Sequence, residues 1–329
     1  MAKHIHIHLH RARTRDEEDF EESKHPRAAN GEFAVAAGAT THVAINKAKA
    51  SSKAPAREAW TKHLGGNFTD QELTRLRALR VPPAWTSIKL SEDPQAPLQV
   101  VGKDEKGRSQ YLYSAAHSEK AAAEKFARLK AFNAAAGKIS TRAQQVMTDT
   151  KLPQKQRDAA AVVKLISETG FRVGSDADTG ADVKAHGAST LTGDHVKVKG
   201  NEIQFSFVGK KSVNITKTLD HPELARYISD AKKRNGNGPL FDVTDANVRD
   251  WMHANGGADF KVKDFRTWNG TNVALKTIAG LKPPTSAAEY KKFRNEVGKA
   301  TAAHLGNTPT VALASYIDPA VFAKWSHLQ

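Results

Sequence analysis

Five polar residues, spread over the second half of the chain, have side chains that could act together on an anionic group such as a phosphoryl group. Two arginines and a lysine carry positive charge, an asparagine offers a neutral hydrogen-bond donor, and a tyrosine offers an oxygen nucleophile: in chain order, Arg172, Lys210, Arg266, Asn307 and Tyr316. Taken singly, each has an ordinary explanation, such as a surface salt bridge, a solvated turn lysine or turn chemistry around an asparagine. Their order along the chain is the specific feature.

Two helix-start signals surround Tyr316. Thr308-Pro309 and Asp318-Pro319 each read as an N-cap residue followed by proline at the first helical position. The pattern predicts that Tyr316 lies in the last turn of one short helix, just before another begins.

The remaining members of the set also fall at the ends of predicted elements. Arg172 follows an apolar helix, and Lys210 lies in the second turn of an alternating segment. Arg266 lies near a helix start between Phe265 and Trp268, which are one turn apart and should pack inward. We expect Arg266 to emerge about 100° away from Phe265.

Composition limits the classes of function. The chain has 329 residues and a net charge of +15, which favours a polyanionic partner such as nucleic acid. It has no cysteine, no apolar run long enough for a membrane span, no GxxxxGK[ST] phosphate loop and no GxGxxG after a strand. Outside the N-terminal tail, no histidine and carboxylate spacing suits a metal. We therefore expect no ATP, metal or other cofactor, no membrane association, and a cytoplasmic location.

The chain divides by pattern into three parts, which together predict an α+β protein. Residues 1–57 read as a disordered tail, because they bury too little apolar surface to offset the entropy of ordering. In it, the alternating His4, His6, His8 and His10 read as a loose tail or edge strand rather than as a metal site. Residues 58–117 predict a small domain of short strands, and residues 118–329 a mainly helical domain. Within the latter, the segment from Val196 to Ile215 alternates as a three-stranded antiparallel meander.

The chain resembles the type IB DNA topoisomerases, specifically their compact bacterial and poxvirus-type branch, from about residue 58 to the C-terminus. The resemblance rests on several motifs in the family's order: "VPPAWTSI" (81–88), "GKDEKGRSQYLY" (102–113), "FRVG" (171–174), "FVGKK" (207–211), "KDFRTW" (263–268) and "LGNTPTVALASYIDP" (305–319). It implies the catalytic fold shared by these enzymes and tyrosine recombinases. The character of the tail hints at a phage or prophage origin.

The resemblance also implies a role for each of the five residues. Tyr316 matches the nucleophile that forms a 3′-phosphotyrosyl link, and Arg172 and Arg266 match the arginines that bind the non-bridging oxygens of the scissile phosphate. Lys210 matches the general acid for the leaving 5′-oxygen. Asn307 stands where the poxvirus enzymes have histidine. The chemistry is consistent, because a free phenol has a pKa near ~10 and nearby guanidinium groups favour phenolate.

The family's contacts with double-stranded DNA map onto "GRSQYLY" in the predicted small domain. The matching positions are Arg108, Gln110, Tyr111 and Tyr113. For the tyrosines the alternative is strand packing, and for Arg108 it is a turn. We expect a monomer that relaxes positive and negative supercoils in the bacterial cytoplasm, associated with the nucleoid, and without ATP or metal.

Two other functions fit parts of the pattern. A tyrosine site-specific recombinase would use the same arginine, lysine and tyrosine chemistry, but "VPPAW" and "GRSQYLY" are typical of the topoisomerases. A DNA-binding protein with a decayed active site would bind DNA with a steep salt dependence and form no covalent adduct. All five positions hold usable side chains, which favours an enzyme.

Overall fold

The computed structural model describes residues 68–175, 184–257 and 260–328. The predicted tail of residues 1–57, with its alternating histidines, lies outside them. The chain forms two compact units, the first ending at Ala123 and the second beginning at Glu124. The domain bounds expected from the sequence, with a break after residue 117, stay a prediction.

The first unit contains one short helix and a three-stranded antiparallel sheet. Helix α1 (Asp70–Ala78) begins at a capping box, in which the Thr69 side chain and the Glu72 carboxylate satisfy each other's backbone N–H groups. The strands β1 (Thr86–Leu90), β2 (Leu98–Lys103) and β3 (Ser109–Tyr113) pair in the order β1-β2-β3. A small apolar core holds the helix to the sheet: Leu76, Val81, Trp85, Ile88, Leu90 and Val100.

The second unit is mainly helical. Its long first helix, α2 (Ala115–Thr148), contains the division between the two units. The later helices are α3 (Gln154–Thr169), α4 (Pro222–Asn235), α5 (Asp245–Gly256), α6 (Asp264–Ala279), α7 (Ala287–Leu305) and α8 (Pro309–Ser315). Short 3₁₀ segments cover Ala188–Thr190, Gly193–His195, Lys210–Ser212 and Pro319–Leu328. Among the described residues, none of the helices has both the length and the apolar character needed to cross a bilayer.

The predicted meander is confirmed. Strands β4 (Val196–Lys199), β5 (Glu202–Gly209) and β6 (Val213–Asp220) pair antiparallel in that order. With the sheet of the first unit and the helices, this gives the expected α+β class.

Helix α3 is the centre of the main core. Its middle residues are almost all buried, and its small alanines let neighbouring helices approach closely. A second apolar cluster lies at the C-terminal end of the chain and combines residues of α6, α7, α8 and the last 3₁₀ segment: Ala274, Val297, Ala302, Ala312, Ile317, Phe322 and Trp325. These two cores fix the chain segments on which the five candidate residues lie.

Candidate active site

Tyr316 lies between two helices, as the two N-cap signals predicted. The Thr308 hydroxyl accepts a hydrogen bond from the backbone N–H of Val311 at 3.3 Å, and Pro309 begins α8. Tyr316 is the C-cap residue of that helix, and its N–H donates to the Ala312 carbonyl at 3.0 Å. The next helical segment follows Asp318 directly. Tyr316 is only 3% exposed, so its ring is held within the protein.

A glycine on α6 allows the backbone of Tyr316 to approach that helix. A Cβ at Gly270 would lie 2.5 Å from the Tyr316 carbonyl oxygen and 3.1 Å from the Tyr316 Cβ. The neighbouring Thr271 hydroxyl donates to the same carbonyl at 3.4 Å and accepts from the Asp318 N–H at 3.1 Å. Helix α6 therefore packs against the backbone of Tyr316 and holds it in place.

Arg266 emerges from the first turn of α6 into the interior. It is 2% exposed and donates to two main-chain carbonyls, those of Gly170 and Leu305, the latter at 2.6 Å. Its guanidinium carbon is 4.8 Å from the centroid of the Tyr316 ring, within cation–π range. The side chain thus leaves the helix on a different side from Phe265, as expected, but that side is also buried.

An ion pair fixes the start of α6. The Asp264 carboxylate is buried, pairs with Arg128 of α2 at 3.2 Å and accepts the Lys261 N–H at 2.9 Å. Because a buried carboxylate is costly to leave unpaired, this contact sets the position of the turn from which Arg266 projects.

Arg172 reaches the same tyrosine from the end of α3. The helix ends at Gly170, whose φ of 68° is the left-handed conformation of a glycine cap. Phe171 then packs edge-on against Phe205 and Phe207 of β5. The Nη2 of Arg172 donates to the Tyr316 hydroxyl at 3.4 Å. Arg172, Arg266 and Tyr316, which are far apart in sequence, therefore form one cluster.

The Arg172 backbone is held by the segment around Gly187. The Ala188 N–H donates to the Arg172 carbonyl at 2.8 Å, and the Ser189 N–H donates to the Val173 carbonyl at 2.7 Å. A Cβ at Gly187 would lie 2.7 Å from the Arg172 carbonyl oxygen. Only glycine allows the two segments to lie this close.

Asn307 follows the left-handed glycine cap of α7, Gly306, which has a φ of 63°. Its side-chain Nδ2 and Oδ1 atoms are both buried, and neither has a hydrogen-bond partner among the residues that the structure describes. Leaving such a group unsatisfied costs about 1–3 kcal/mol. Both polar atoms of the Asn307 amide therefore have hydrogen-bonding capacity that the described residues do not use.

Lys210 begins the 3₁₀ turn between β5 and β6 and is half-buried. Ile215 of β6, which pairs with Phe207 of β5, connects this hairpin to the Asn307 turn. A Cβ at Gly209 would lie 2.6 Å from the Ile215 side chain, and one at Gly306 would lie 3.2 Å from it. The turns that contain Lys210 and Asn307 therefore both pack against Ile215.

Two further residues support this cluster and were missed by the sequence analysis. Lys125 of α2 is buried and donates to the Ser315 carbonyl at 2.9 Å, immediately before the tyrosine. Lys217 of β6 donates to the Thr169 carbonyl at 2.7 Å and to the His304 carbonyl at 3.1 Å. The sequence could have indicated Lys217, because this lysine occupies a position of the β6 alternation where an apolar residue is expected.

The electrostatic character of the cluster is positive. Arg266 and Lys217 make the four bonds just described to main-chain carbonyls, and none of those bonds neutralises their charge. Burial and the Arg266 charge lower the pKa of Lys217 to about 8. Burial and the charges of Lys217, Arg266 and Lys276 lower the pKa of His304 to about 4, so its ring is neutral at pH 7. Such a site favours an anion.

In the first unit, the predicted DNA-contact residues have varied surroundings. The Asp104 carboxylate accepts hydrogen bonds from Arg108 at 2.7 Å and from Gln110 at 3.1 Å. Tyr111 is 6% exposed, which agrees with strand packing. Tyr113 stacks on His117 with centroids 5.2 Å apart, and burial raises the pKa of its phenol to about 12. A role in DNA contact stays a prediction for all four.

The described residues contain no group of three or more histidine and carboxylate side chains arranged to hold a metal ion. The histidines of the tail lie outside that part of the chain.

Two family models and one similar protein point to the same family. The model of the eukaryotic DNA topoisomerase I catalytic core matches residues 114–324, and that of the bacterial DNA topoisomerase IB N-terminal domain matches residues 59–104. The chain is 30% identical over 270 residues to DNA topoisomerase 1B of Acanthamoeba polyphaga mimivirus, covering 76% of this chain and 78% of that protein.

Two solved structures of the site-specific recombinase XerH also match. One is a pre-cleavage complex with a difH substrate and the other a post-cleavage complex with palindromic difH; each is 12% identical. Their TM-scores are 0.36 and 0.37, covering 57% of this chain and 52% and 50% of theirs.

The catalytic-core match spans more than half of the chain, and the viral relative is matched over most of its length. The type IB assignment made from the motifs is thereby confirmed, and with it an isomerase that acts on DNA, whereas a phage origin stays a prediction. The chain belongs to the type IB DNA topoisomerase family.

Proposed function

We propose that Tyr316 is the nucleophile of this type IB topoisomerase and that Arg172, Arg266, Lys210 and Asn307 complete its active site. One observation carries the proposal: two guanidinium groups converge on one phenol, one from the segment that follows α3 and the other from the first turn of α6. Arg172 donates to its hydroxyl at 3.4 Å, and Arg266 lies 4.8 Å from its ring centroid.

In the forward step, the Tyr316 oxygen attacks the scissile phosphorus. A bond forms between the phenolic oxygen and phosphorus while the bond from phosphorus to the 5′-oxygen breaks. The phenol proton passes to solvent, and Lys210 donates a proton to the leaving 5′-oxygen. The product is a 3′-phosphotyrosyl link of energy similar to that of the diester, so rejoining can proceed by the reverse reaction without ATP.

The other groups act on the charge that develops in this step. Arginine forks match phosphate oxygens, so Arg172 and Arg266 would bind the non-bridging oxygens and favour phenolate. The buried amide of Asn307 would donate one further neutral hydrogen bond to the same phosphate, which would satisfy the Nδ2 atom that lacks a partner in the described protein. An amide does not titrate, so this contact should be independent of pH.

While the strand is open, torsional stress would rotate the free DNA end, and both positive and negative supercoils would be lost. We further propose that the enzyme is a monomer, because all five side chains come from one chain. Its substrate is duplex DNA, so the proposed place of action is the nucleoid of a bacterial cytoplasm. Arg108, Gln110, Tyr111 and Tyr113 are proposed DNA contacts of the first unit.

The test is relaxation of supercoiled plasmid in EDTA without ATP, comparing the wild type with Tyr316→Phe. Loss of the nucleophile should lower the rate by on the order of 10⁴-fold or more and abolish the covalent protein–DNA adduct, while a gel-shift assay should show unchanged DNA binding. The matched control is Tyr290→Phe, a half-buried tyrosine of α7 that packs against Phe322.

Residual relaxation or adduct formation by Tyr316→Phe would remove the tyrosine from the nucleophile's role. A wild type that binds plasmid without relaxing it or forming an adduct would instead favour a decayed site. A wild type that forms an adduct but joins only paired DNA sites would favour the recombinase chemistry.

A further inference from the structure

Strand β6 carries a lysine where its pattern calls for an apolar residue. Along the strand, Val213, Ile215, Lys217 and Leu219 alternate with exposed polar residues. In a strand with one buried face, such a position is normally apolar, because an unpaired buried ammonium is costly. Lys217 is accommodated because its amine is hydrogen-bonded to main-chain carbonyls.

The two carbonyls bound by Lys217 lie next to the two bound by Arg266. Lys217 bonds to Thr169 at 2.7 Å and to His304 at 3.1 Å. Arg266 bonds to the residues that follow each of these, Gly170 and Leu305. Two cationic side chains therefore connect the same two chain segments, at consecutive residues.

Those segments lead directly to proposed catalytic residues. The first, Thr169–Gly170, is two residues before Arg172, and the second, His304–Leu305, is two residues before Asn307. Lys217 itself lies on the strand that follows the Lys210 turn. One amine thus joins the three parts of the chain that carry an arginine, the general acid and the amide.

We propose that Lys217 is a positioning residue, which holds the Asn307 turn in register with Arg172 so that both meet the scissile phosphate. This inference rests on the proposed function. Lys217 does not itself contact the reacting atoms; it acts by fixing the carbonyl of His304 relative to that of Thr169.

The charged and titratable groups around Lys217 fit this role. Arg266 faces it from α6, His304 faces it from α7, and Lys276 acts on the His304 ring. The Lys217 amine is 3.4 Å and 3.3 Å from the two ring nitrogens of His304, which is neutral at pH 7. An amine with a pKa near 8 keeps at least two N–H donors in either protonation state. It can therefore hold both carbonyls on either side of that pH.

The experiment measures single-turnover cleavage of a DNA duplex with a single scissile site by the full chain. Lys217→Met keeps an unbranched side chain that is one heavy atom shorter and removes its donors. It should lower the cleavage rate by roughly 10- to 100-fold, the size of effect expected when a group near the chemistry is misplaced. DNA affinity should change by less than about threefold, since a positioning residue makes no contact with DNA. Lys217→Gln, which keeps a shorter donor, should fall between Lys217→Met and the wild type. The control Lys299→Met removes an exposed lysine of α7 and should leave the rate unchanged.

A double-mutant cycle separates positioning from a purely structural defect. If Lys217 acts through Asn307, Lys217→Met in an Asn307→Ala background should cost less than about threefold further, because neighbours that act as one unit are non-additive. The proposal would be overturned if the rate losses of the two single variants multiplied in the double variant, or if Lys217→Met cleaved DNA at the wild-type rate. If Lys217→Met fails to fold, the same cycle with Lys217→Gln decides.

The result is distinguishable from failure of the proposed function. A normal rate for Asn307→Ala would overturn both the role of Asn307 and this route, yet Tyr316→Phe would still be inactive. Relaxation by Tyr316→Phe would instead remove the nucleophile and the active site built around it.

Discussion

The β2–β3 hairpin of the first unit and the β5–β6 hairpin of the second share the same antiparallel plan, but their polar side chains bind partners at different distances along the chain. In the first, Asp104 pairs with Arg108 and Gln110, four and six residues away. In the second, Lys217 bonds to Thr169 and His304, which are 48 and 87 residues away.

The polar contacts of the first hairpin thus need only that hairpin, whereas the contacts of Lys217 need several elements of the second unit. The Asp104 contacts form as soon as β2 and β3 pair. The Lys217 contacts form only when α3 and α7 have also packed, so the site is assembled by tertiary structure. Side chains that tertiary packing orients in this way are fixed before any ligand binds, which is the condition for preorganisation.

Substitution of Lys210, in the β5–β6 turn, should therefore change the rate of cleavage far more than substitution of Arg108, in the β2–β3 turn. We expect Lys210→Ala to lower the cleavage rate by on the order of 10²–10⁴-fold, the contribution typical of a positioned general acid. A substrate with a 5′-sulfur leaving group should recover most of the rate, since a thiolate leaves without a proton. The measurement is single-turnover cleavage of both substrates.

The control is Lys199→Ala, an exposed lysine at the end of β4 in the same sheet. It removes one positive charge without touching the turn, and its cleavage rate should match that of the wild type. Equal losses for Lys210→Ala on the oxygen and sulfur substrates would mean that Lys210 is not the acid.

The first hairpin should affect binding rather than chemistry. Arg108→Ala removes an arginine whose side chain is 41% exposed, and we expect about a three- to tenfold loss of DNA affinity and a salt slope smaller by about 1, as for one phosphate contact. Cleavage at saturating DNA should be unchanged. Affinity is measured by fluorescence anisotropy at several salt concentrations.

Arg77→Ala, from the exposed side of α1, is the matched control for Arg108→Ala. If both variants change affinity and salt slope alike, the loss reflects overall charge, and the β2–β3 hairpin has no special part in holding DNA. A lower cleavage rate at saturating DNA would place Arg108 in the catalytic step and contradict the contrast between the hairpins.

Local patterns predicted the elements of the fold well. The alternation from Val196 to Ile215 predicted the meander, and two N-cap signals predicted the helices on either side of Tyr316. These features depend on nearby residues, which the sequence shows directly. The grouping of the five proposed active-site residues came instead from the family resemblance, since no local pattern relates Arg172 to Tyr316.

What the sequence did not predict depends on contacts between distant segments. Arg266 was expected to leave its helix away from Phe265, but the carbonyls of Gly170 and Leu305 that receive it belong to other helix ends. Lys217 was visible as a polar residue at an inward position, yet nothing near it in the sequence identifies its partners. Burial on both sides of α6 is likewise a property of tertiary packing.

The smallest expected effect concerns the stability of the first hairpin. Burial alone would raise the pKa of Asp104, but hydrogen bonds from the Arg108 side chain and backbone, the Arg108 charge and the Lys106 backbone N–H outweigh it, and the pKa is lowered. A carboxyl group whose pKa is lower in the folded state stabilises above its unfolded pKa and loses that contribution as the pH falls.

Asp104→Asn should therefore lower the free energy of unfolding at pH 7 by about 0.5 kcal/mol, the scale of an exposed pair. The difference from the wild type should begin to shrink as the pH falls through about 4, where the unfolded carboxyl takes up a proton, and should go on shrinking until folded Asp104 is also neutral, below its lowered pKa. Thermal unfolding of both proteins between pH 3 and pH 7 measures this. A difference that stays constant over that range would mean that the carboxylate charge does not hold the turn. Since these contacts are confined to one hairpin, cleavage at saturating DNA should be the same for both proteins, whereas Lys217→Met should slow it.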